Sequence, residues 1–434
     1  MGKFSFFTDM LSGLFERAPS EDATASDDKI EAVAQTLLSG HGEISGMRLS
    51  REVLTRYGAL KAKEKLAFFQ WMADALDLDP DKVVATATAY RDTRDGGNYN
   101  ALMRAAEPPR QELLRRLNQP AGATLDLVRM RRDLLDFLPK HSELAPIDHD
   151  FRHLFRSWFN RGFLVLRPID WYTPANILEK IIEYEAVHTI NDWSDLRRRL
   201  LPSDRRCFAF FHPAMLEEPL IFVEVALCKG IPGSVQALLA EDRAPLPEAD
   251  LDTAVFYSIS NCQEGLRGIS FGNSLIKQVV EELRSELPQI RTTITLSPIP
   301  GLMNWLRKQS EPAARQIVAA SEKGDLETLE RLSDEIELMA ATWLAQVKAT
   351  NGQPADPVAR FHLGNGAQLH QVHALADISP NGLRQSATAM VNYLYDLGQV
   401  EANHEAFATN QRIVMSKDIK TLLNADKKTG KSKT

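Results

Sequence analysis

Residues 255–287, "VFYSISNCQEGLRGISFGNSLIKQVVEELRSEL", decide how this chain is read. The segment begins as a buried strand and runs into a glycine-bearing loop. The loop opens a helix whose apolar face is Leu275, Ile276, Val279, Val280, Leu283 and Leu287, the spacing of an amphipathic helix. The first turn of a helix has unpaired backbone N–H groups and a partial positive charge, so it suits a phosphate or pyrophosphate. Gly268 and Gly272 would let such a ligand approach the backbone. The loop is neither a Walker A loop nor a GxGxxG dinucleotide loop.

Working outward, "TTITLSPIPGLMNW" (292–305) reads as a β-branched strand that stops at Ser297. It turns through Pro298 and Pro300 and resumes at Gly301 with helical spacing of Leu302, Trp305 and Leu306. Pro298 already makes the turn, so a hydroxyl at this strand tip has no local task and marks Ser297 as a candidate for chemistry. Upstream, "GFLVLRPIDW", "RCFAFFHP" and "PLIFVEVALC" are further short apolar runs with helical stretches between them. Residues 310–350 form a long helical passage before strand-like text returns at "VARFHLGNGAQLHQVHAL". From Ile30 to about Pro139 the pattern is helical throughout and holds no chemical constellation, which suits packing or oligomerisation. The expected fold class is therefore α/β plus all-α. Its parts are an N-terminal segment and acidic linker (1–29), a helical oligomerisation domain (30–157), a mixed α/β catalytic domain with a helical insertion (158–424) and a basic disordered tail (425–434).

Composition narrows the function. With 58 acidic against 51 basic residues the formal net charge is -7, which gives nucleic acid no basic surface to grip. Cys207, Cys228 and Cys262 share no CxxC spacing, so neither a disulfide framework nor a zinc site is indicated, and a reducing, cytoplasmic setting fits. No apolar run approaches the ~18 residues of a membrane span. Phe4, Phe7, Leu11 and Phe15 share a helical face, but Asp9 and Glu16 sit among Lys3 and Arg17 on the polar side, unlike a basic targeting helix. His362, His370 and His373 lack the HExxH spacing and a carboxylate partner, so no metal is expected. The five arginines of "LRRRLLPSDRR" read either as partners for phosphates or as a solvated helix end.

"LRGISFGNSLI" resembles the coenzyme A pyrophosphate loop of the GNAT superfamily, with Arg267 and Gly272 on the outer positions and Ser270 in place of the inner glycine. A closer resemblance is carried by "CFAFFHPAMLEEPLIFVEVAL", "TLSPIPGLMNWL", "DPVARFHLGNGAQLHQVHALADIS" and "MVNYLY", which look in order and spacing like the malonyl-CoA decarboxylase family, from about Arg156 to Tyr395. The resemblance implies a GNAT-like catalytic domain that removes CO2 from malonyl-CoA to give acetyl-CoA, with no cofactor and no metal. It places the catalytic serine on Ser297 and the catalytic histidine on His362, and substrate contacts on Ser258 and Tyr395. Coenzyme A would lie along Arg267, Gly268, Ile269, Ser270, Phe271, Gly272 and Asn273. Loss of CO2 leaves a thioester enolate, which needs a partner for the carboxylate and an acid for the α-carbon. Ser297 is expected to orient that carboxylate and His362 to deliver the proton. The resemblance also implies a homo-oligomer, with the N-terminal helices as its interface. Two other functions fit the same fold, an acyl-CoA-dependent acyltransferase and a non-catalytic acyl-CoA-binding regulator, and fold alone does not separate them.

Overall fold

The structure, a computed structural model, describes residues 28–40, 42–215, 217–269, 271 and 275–430 of the 434-residue chain. The aromatic N-terminal stretch, nearly all of the acidic linker, and Ser270, Gly272 and Asn273 lie outside the described residues. The chain divides into two compact units. The first holds the described residues within Met1–Phe163, Pro213–Leu216 and Gln263–Ser270, and the second those within Leu164–His212, Glu217–Cys262 and Phe271–Thr434.

The first unit is helical, as its periodicity predicts. Phe68, Phe69, Leu113, Leu127, Phe151 and Phe155 are fully buried and form much of its core. Helix starts follow from local chemistry: Asp79 accepts the N–H of Lys82 ahead of Pro80, and Asp95 accepts that of Asn98, each satisfying a donor the helix cannot. Gln263–Ser270, expected from the sequence within the α/β domain, belongs by its packing to this unit. Arg131, 1% exposed, pairs with Asp148 at 2.8 Å and donates to the carbonyls of Gly265 (2.6 Å) and Arg267 (3.0 Å). Gly265 is required there, because a Cβ would lie 1.9 Å from the Val128 carbonyl oxygen.

The second unit is built on an eight-stranded sheet: β1 (Val165–Ile169), β2 (Arg205–Phe211), β3 (Ile221–Cys228), β4 (Thr253–Asn261), β5 (Thr292–Thr295), β6 (Ser297–Pro298), β7 (Gln368–His373) and β8 (Met390–Leu394). β1 to β4 run antiparallel in order, β4 and β5 are parallel, and β8 takes β5, β6 and β7 as antiparallel partners. A parallel pair needs a crossover, and the helix Leu275–Glu286 supplies it, burying Leu275, Ile276, Val279, Val280 and Leu283. Short helices between Leu302 and Ala345 form the expected insertion. The last helix, Lys417–Gly430, carries helical backbone into the stretch expected as a disordered tail.

The parallel pair is what opens the sheet. β4 matches β5 only from Thr253 to Phe256, and the last bond between them runs from Leu296 N–H to the Phe256 carbonyl at 2.9 Å. Beyond it β4 continues to Asn261, while Ser297 and Pro298 pair with Val391 and Met390 of β8. Tyr257 sits at a bulge, where the register against β3 passes from Val225–Phe256 to Glu224–Ser258. The two strands thus diverge beyond Phe256 and Thr295, which leaves a gap in the sheet. Among the described residues, no helix is long and apolar enough to cross a membrane.

Candidate active site

Ser297 and His362, 65 residues apart, meet at this gap. Ser297 is brought by the turn out of β5 and is 6% exposed. His362 comes from the helix Pro357–Gly364, whose start is fixed by Asp356 accepting the N–H of Ala359, with Pro357 in the first turn. The Ser297 Oγ lies 3.1 Å from His362 Nε2 and donates to Thr295 Oγ1 at 2.8 Å. Thr295 Oγ1 also accepts the Tyr393 N–H at 3.1 Å. On the far side of the imidazole, Nδ1 is 2.9 Å from Tyr395 Oη, and the ring stacks on Tyr393 with centroids 4.5 Å apart. With Ser297 donating to Thr295, its Oγ accepts from Nε2–H and Tyr395 donates to Nδ1, so the neutral Nε2–H tautomer satisfies Ser297, Tyr395 and both ring nitrogens.

Ser297 and His362 line a cavity of about 270 Å³ whose other walls include Val187, Phe256, Ile259, Asn261 and Phe361. Its walls are mostly apolar, and among the described residues no Asp, Glu, Lys or Arg lines it. Burial alone holds the His362 pKa down to about 3, so the imidazole is neutral. Burial also raises the Tyr395 phenol well above its ordinary value, keeping it a neutral donor or acceptor.

The other two expected substrate residues stand apart from the cavity. Tyr395 touches His362 from behind, at Nδ1. Ser258 is buried, and its hydroxyl lies 2.9 and 2.7 Å from the two carboxylate oxygens of Glu185. That carboxylate also accepts the N–H groups of Val187 and His188, both at 2.7 Å. Burial raises the Glu185 pKa against these donors. Next to it Glu224, fully buried, is pushed up to about 8 by burial and by Glu185, with Arg199 pulling the other way at 3.1 Å. The arginine run is thus largely structural: Arg199 and Arg205 are buried, and Arg206 pairs with Glu286 at 2.6 Å. Of the loop expected to hold coenzyme A, Arg267, Gly268 and Ile269 belong to the helical unit by their packing, and Phe271 to the α/β unit. Among the described residues, no group of three or more His, Cys, Asp or Glu side chains is placed to hold a metal.

Sequence reasoning missed Thr295 and Glu185. Thr295 was findable, since it stands two residues from Ser297 on a strand and so shares its face. Glu185, in "EYEAVH" 73 residues before Ser258, carries no local signal.

Comparison with known proteins bears on all of this. Residues 162–433 match a family model described as the malonyl-CoA decarboxylase C-terminal domain, and residues 76–159 match one described as the N-terminal domain of the same family. A mitochondrial malonyl-CoA decarboxylase of Anser anser anser is 34% identical over 351 residues, covering 72% of this chain and 69% of that protein. That of Mus musculus is 29% identical over 413 residues, covering 85% and 83%. Crystal structures of malonyl-CoA decarboxylases from Rhodopseudomonas palustris and Agrobacterium vitis are similar throughout. The first has a TM-score of 0.86 and 50% identity, covering 92% of this chain and 100% of that one; the second has 0.84 and 46%, covering 91% and 99%.

Proposed function

The chain belongs to the malonyl-CoA decarboxylase family, and from that premise we propose that it converts malonyl-CoA to acetyl-CoA and CO2 with Ser297 and His362 as its catalytic residues. The observation that carries the site assignment is the hydroxyl–imidazole pair, 3.1 Å apart, on the wall of a mostly apolar cavity in the sheet gap.

The malonyl carboxylate enters beside Ser297 and competes with Thr295 for the hydroxyl proton, which orients it. Its negative charge raises the pKa of His362 from the low value that burial gives it, because a nearby anion favours the imidazolium. Tyr395 serves both states, donating to Nδ1 of the neutral ring and accepting from Nδ1–H of the charged one. When the C–C bond breaks, its electron pair passes into the thioester enolate and CO2 leaves. The Nε2–H proton then moves to the α-carbon, which makes acetyl-CoA and returns a neutral imidazole. One proton per turnover is taken up from solvent as the imidazole charges beside the bound carboxylate, and the electron pair is that of the broken C–C bond. Incubation with malonyl-CoA should release CO2 and acetyl-CoA in equal amounts, and absence of CO2 would overturn the reading.

Coenzyme A is assigned to the loop from Arg267 to Asn273, supported by the crossover helix that follows it. Cytoplasmic placement rests on the three cysteines, all unpaired. Assembly through the helical unit is supported by the hairpin of helices Pro80–Thr93 and Gly96–Ala105, which buries only Ala105 and exposes Val84, Tyr99 and Met103. The domain limits 1–29, 30–157, 158–424 and 425–434 are retained in outline, with Gln263–Ser270 assigned to the helical part.

A further inference from the structure

Residues 186–189 form a short stretch of wall beside the catalytic cavity, and Val187 lines it. Two buried groups hold this stretch by its backbone. From one side the Glu185 carboxylate accepts the N–H groups of Val187 and His188, both at 2.7 Å. From the other, Arg199 donates to the carbonyls of His188 (2.8 Å) and Thr189 (3.0 Å) while paired with Glu224. Ser258 links the carboxylate to β4, two residues past Phe256, which also lines the cavity. An exposed loop would satisfy these backbone groups with water. Here they are tied to a buried carboxylate and a buried guanidinium, an expensive arrangement unless the position of the wall matters.

We infer that Glu185 is a positioning residue for the reaction: its carboxylate, braced by Ser258, fixes the Val187 wall of the cavity that holds Ser297 and His362. Ser258 then acts through Glu185 and touches no substrate. The inference rests on the decarboxylase reading for its kinetic consequence, and on geometry alone for the anchoring. A wall displaced by about 1 Å can cost ~10²-fold in rate, because the reacting carboxylate loses its alignment.

The test compares Glu185→Ala, Glu185→Gln, Ser258→Ala and the double variant Glu185→Ala/Ser258→Ala in the full chain. Glu185→Ala should lower kcat by about 10- to 100-fold, with the Kd for coenzyme A changed less than about threefold, since that ligand binds elsewhere. Glu185→Gln keeps one acceptor oxygen and should recover part of the loss. Ser258→Ala should lose less, and the double variant no more than Glu185→Ala alone, as expected of two groups acting as one unit. Hydrogen exchange of the Val187 and His188 amides should accelerate in Glu185→Ala, a readout independent of turnover. Native-like kcat and native-like exchange in a folded Glu185→Ala protein would overturn the inference. Fully additive losses would do so too, by placing Ser258 directly on substrate. If Glu185→Ala does not fold, Glu185→Gln and Ser258→Ala carry the same exchange and rate comparisons. A native protein that releases no CO2 would instead refute the decarboxylase reading and leave the exchange test standing.

Discussion

Burial keeps His362 uncharged, and this governs both its chemistry and its pH behaviour. A positioned general acid contributes ~10²- to 10⁴-fold, so His362→Asn, which cannot supply the proton, should lower kcat by about that factor while the Kd for coenzyme A changes little. Near-normal kcat in the folded variant would remove His362 from the mechanism. The stability effect has a definite sign. The ordinary imidazole pKa of 6.5 falls to about 3 in the folded protein, so below 6.5 the unfolded chain binds a proton that the folded one refuses. The contribution of the neutral ring is complete above about pH 6.5 and is lost as pH falls toward 3, with a slope of at most ~1.4 kcal/mol per pH unit. Glu224, raised from 4.5 to about 8, acts oppositely and loses stability as pH rises through that range. Subtracting the Tm–pH curve of His362→Asn from that of the native protein cancels the Glu224 term. The difference should therefore grow between pH 7 and pH 5 in the sense that the native protein loses more, and parallel curves would contradict a buried neutral His362.

Elements show which parts of this structure were legible. The strand–loop–helix of 255–287 and the run into Ser297 could be read because period-2 and period-3.6 patterns, turn prolines and a strand-tip hydroxyl are local signals. The packing of Gln263–Ser270 was not legible, because its partner Arg131 lies 134 residues away from Gly265 and an arginine in "VRMRRDLL" looks like a solvated helix face. The same holds for Glu185. Buried charge pairs between distant segments leave no period in the sequence. The Arg131 connection makes a prediction about the loop itself. In Gly265→Ala the new methyl would sit 1.9 Å from the Val128 carbonyl oxygen and 2.9 Å from its own side chain. Backbone must therefore move, and overpacking of this kind costs about 1–3 kcal/mol. The expected result is a lower Tm together with a raised KM for malonyl-CoA, since Arg267 and Gly268 begin the assigned coenzyme A loop. An unchanged KM in a folded variant would separate this packing from ligand binding.

At the scale of the whole molecule, the hairpin of Pro80–Thr93 and Gly96–Ala105 is the part whose sequence is least explained by the fold of a single chain. Its first helix buries no residue and its second only Ala105, yet Val84 is 66% exposed, Met103 52% and Tyr99 48%. Tyr90 and Tyr99 lie with ring centroids 5.7 Å apart, so they brace the two helices against each other. A helix pair gains most of its stability in a protein from packing an apolar face on a core. This one has its apolar side chains on the outside, as a surface that meets another copy would. The charge caps Asp79 and Asp95 set the helix starts independently of such contact, so the hairpin should survive changes to that face. Tyr99→Glu with Met103→Glu should therefore leave the helical content intact and shift the protein to a smaller assembly by light scattering. Turnover per chain should persist, because Ser297, His362 and every residue lining their cavity come from one unit of one chain. An unchanged mass would place the interface elsewhere, whereas loss of mass together with loss of turnover would mean that assembly supports the site.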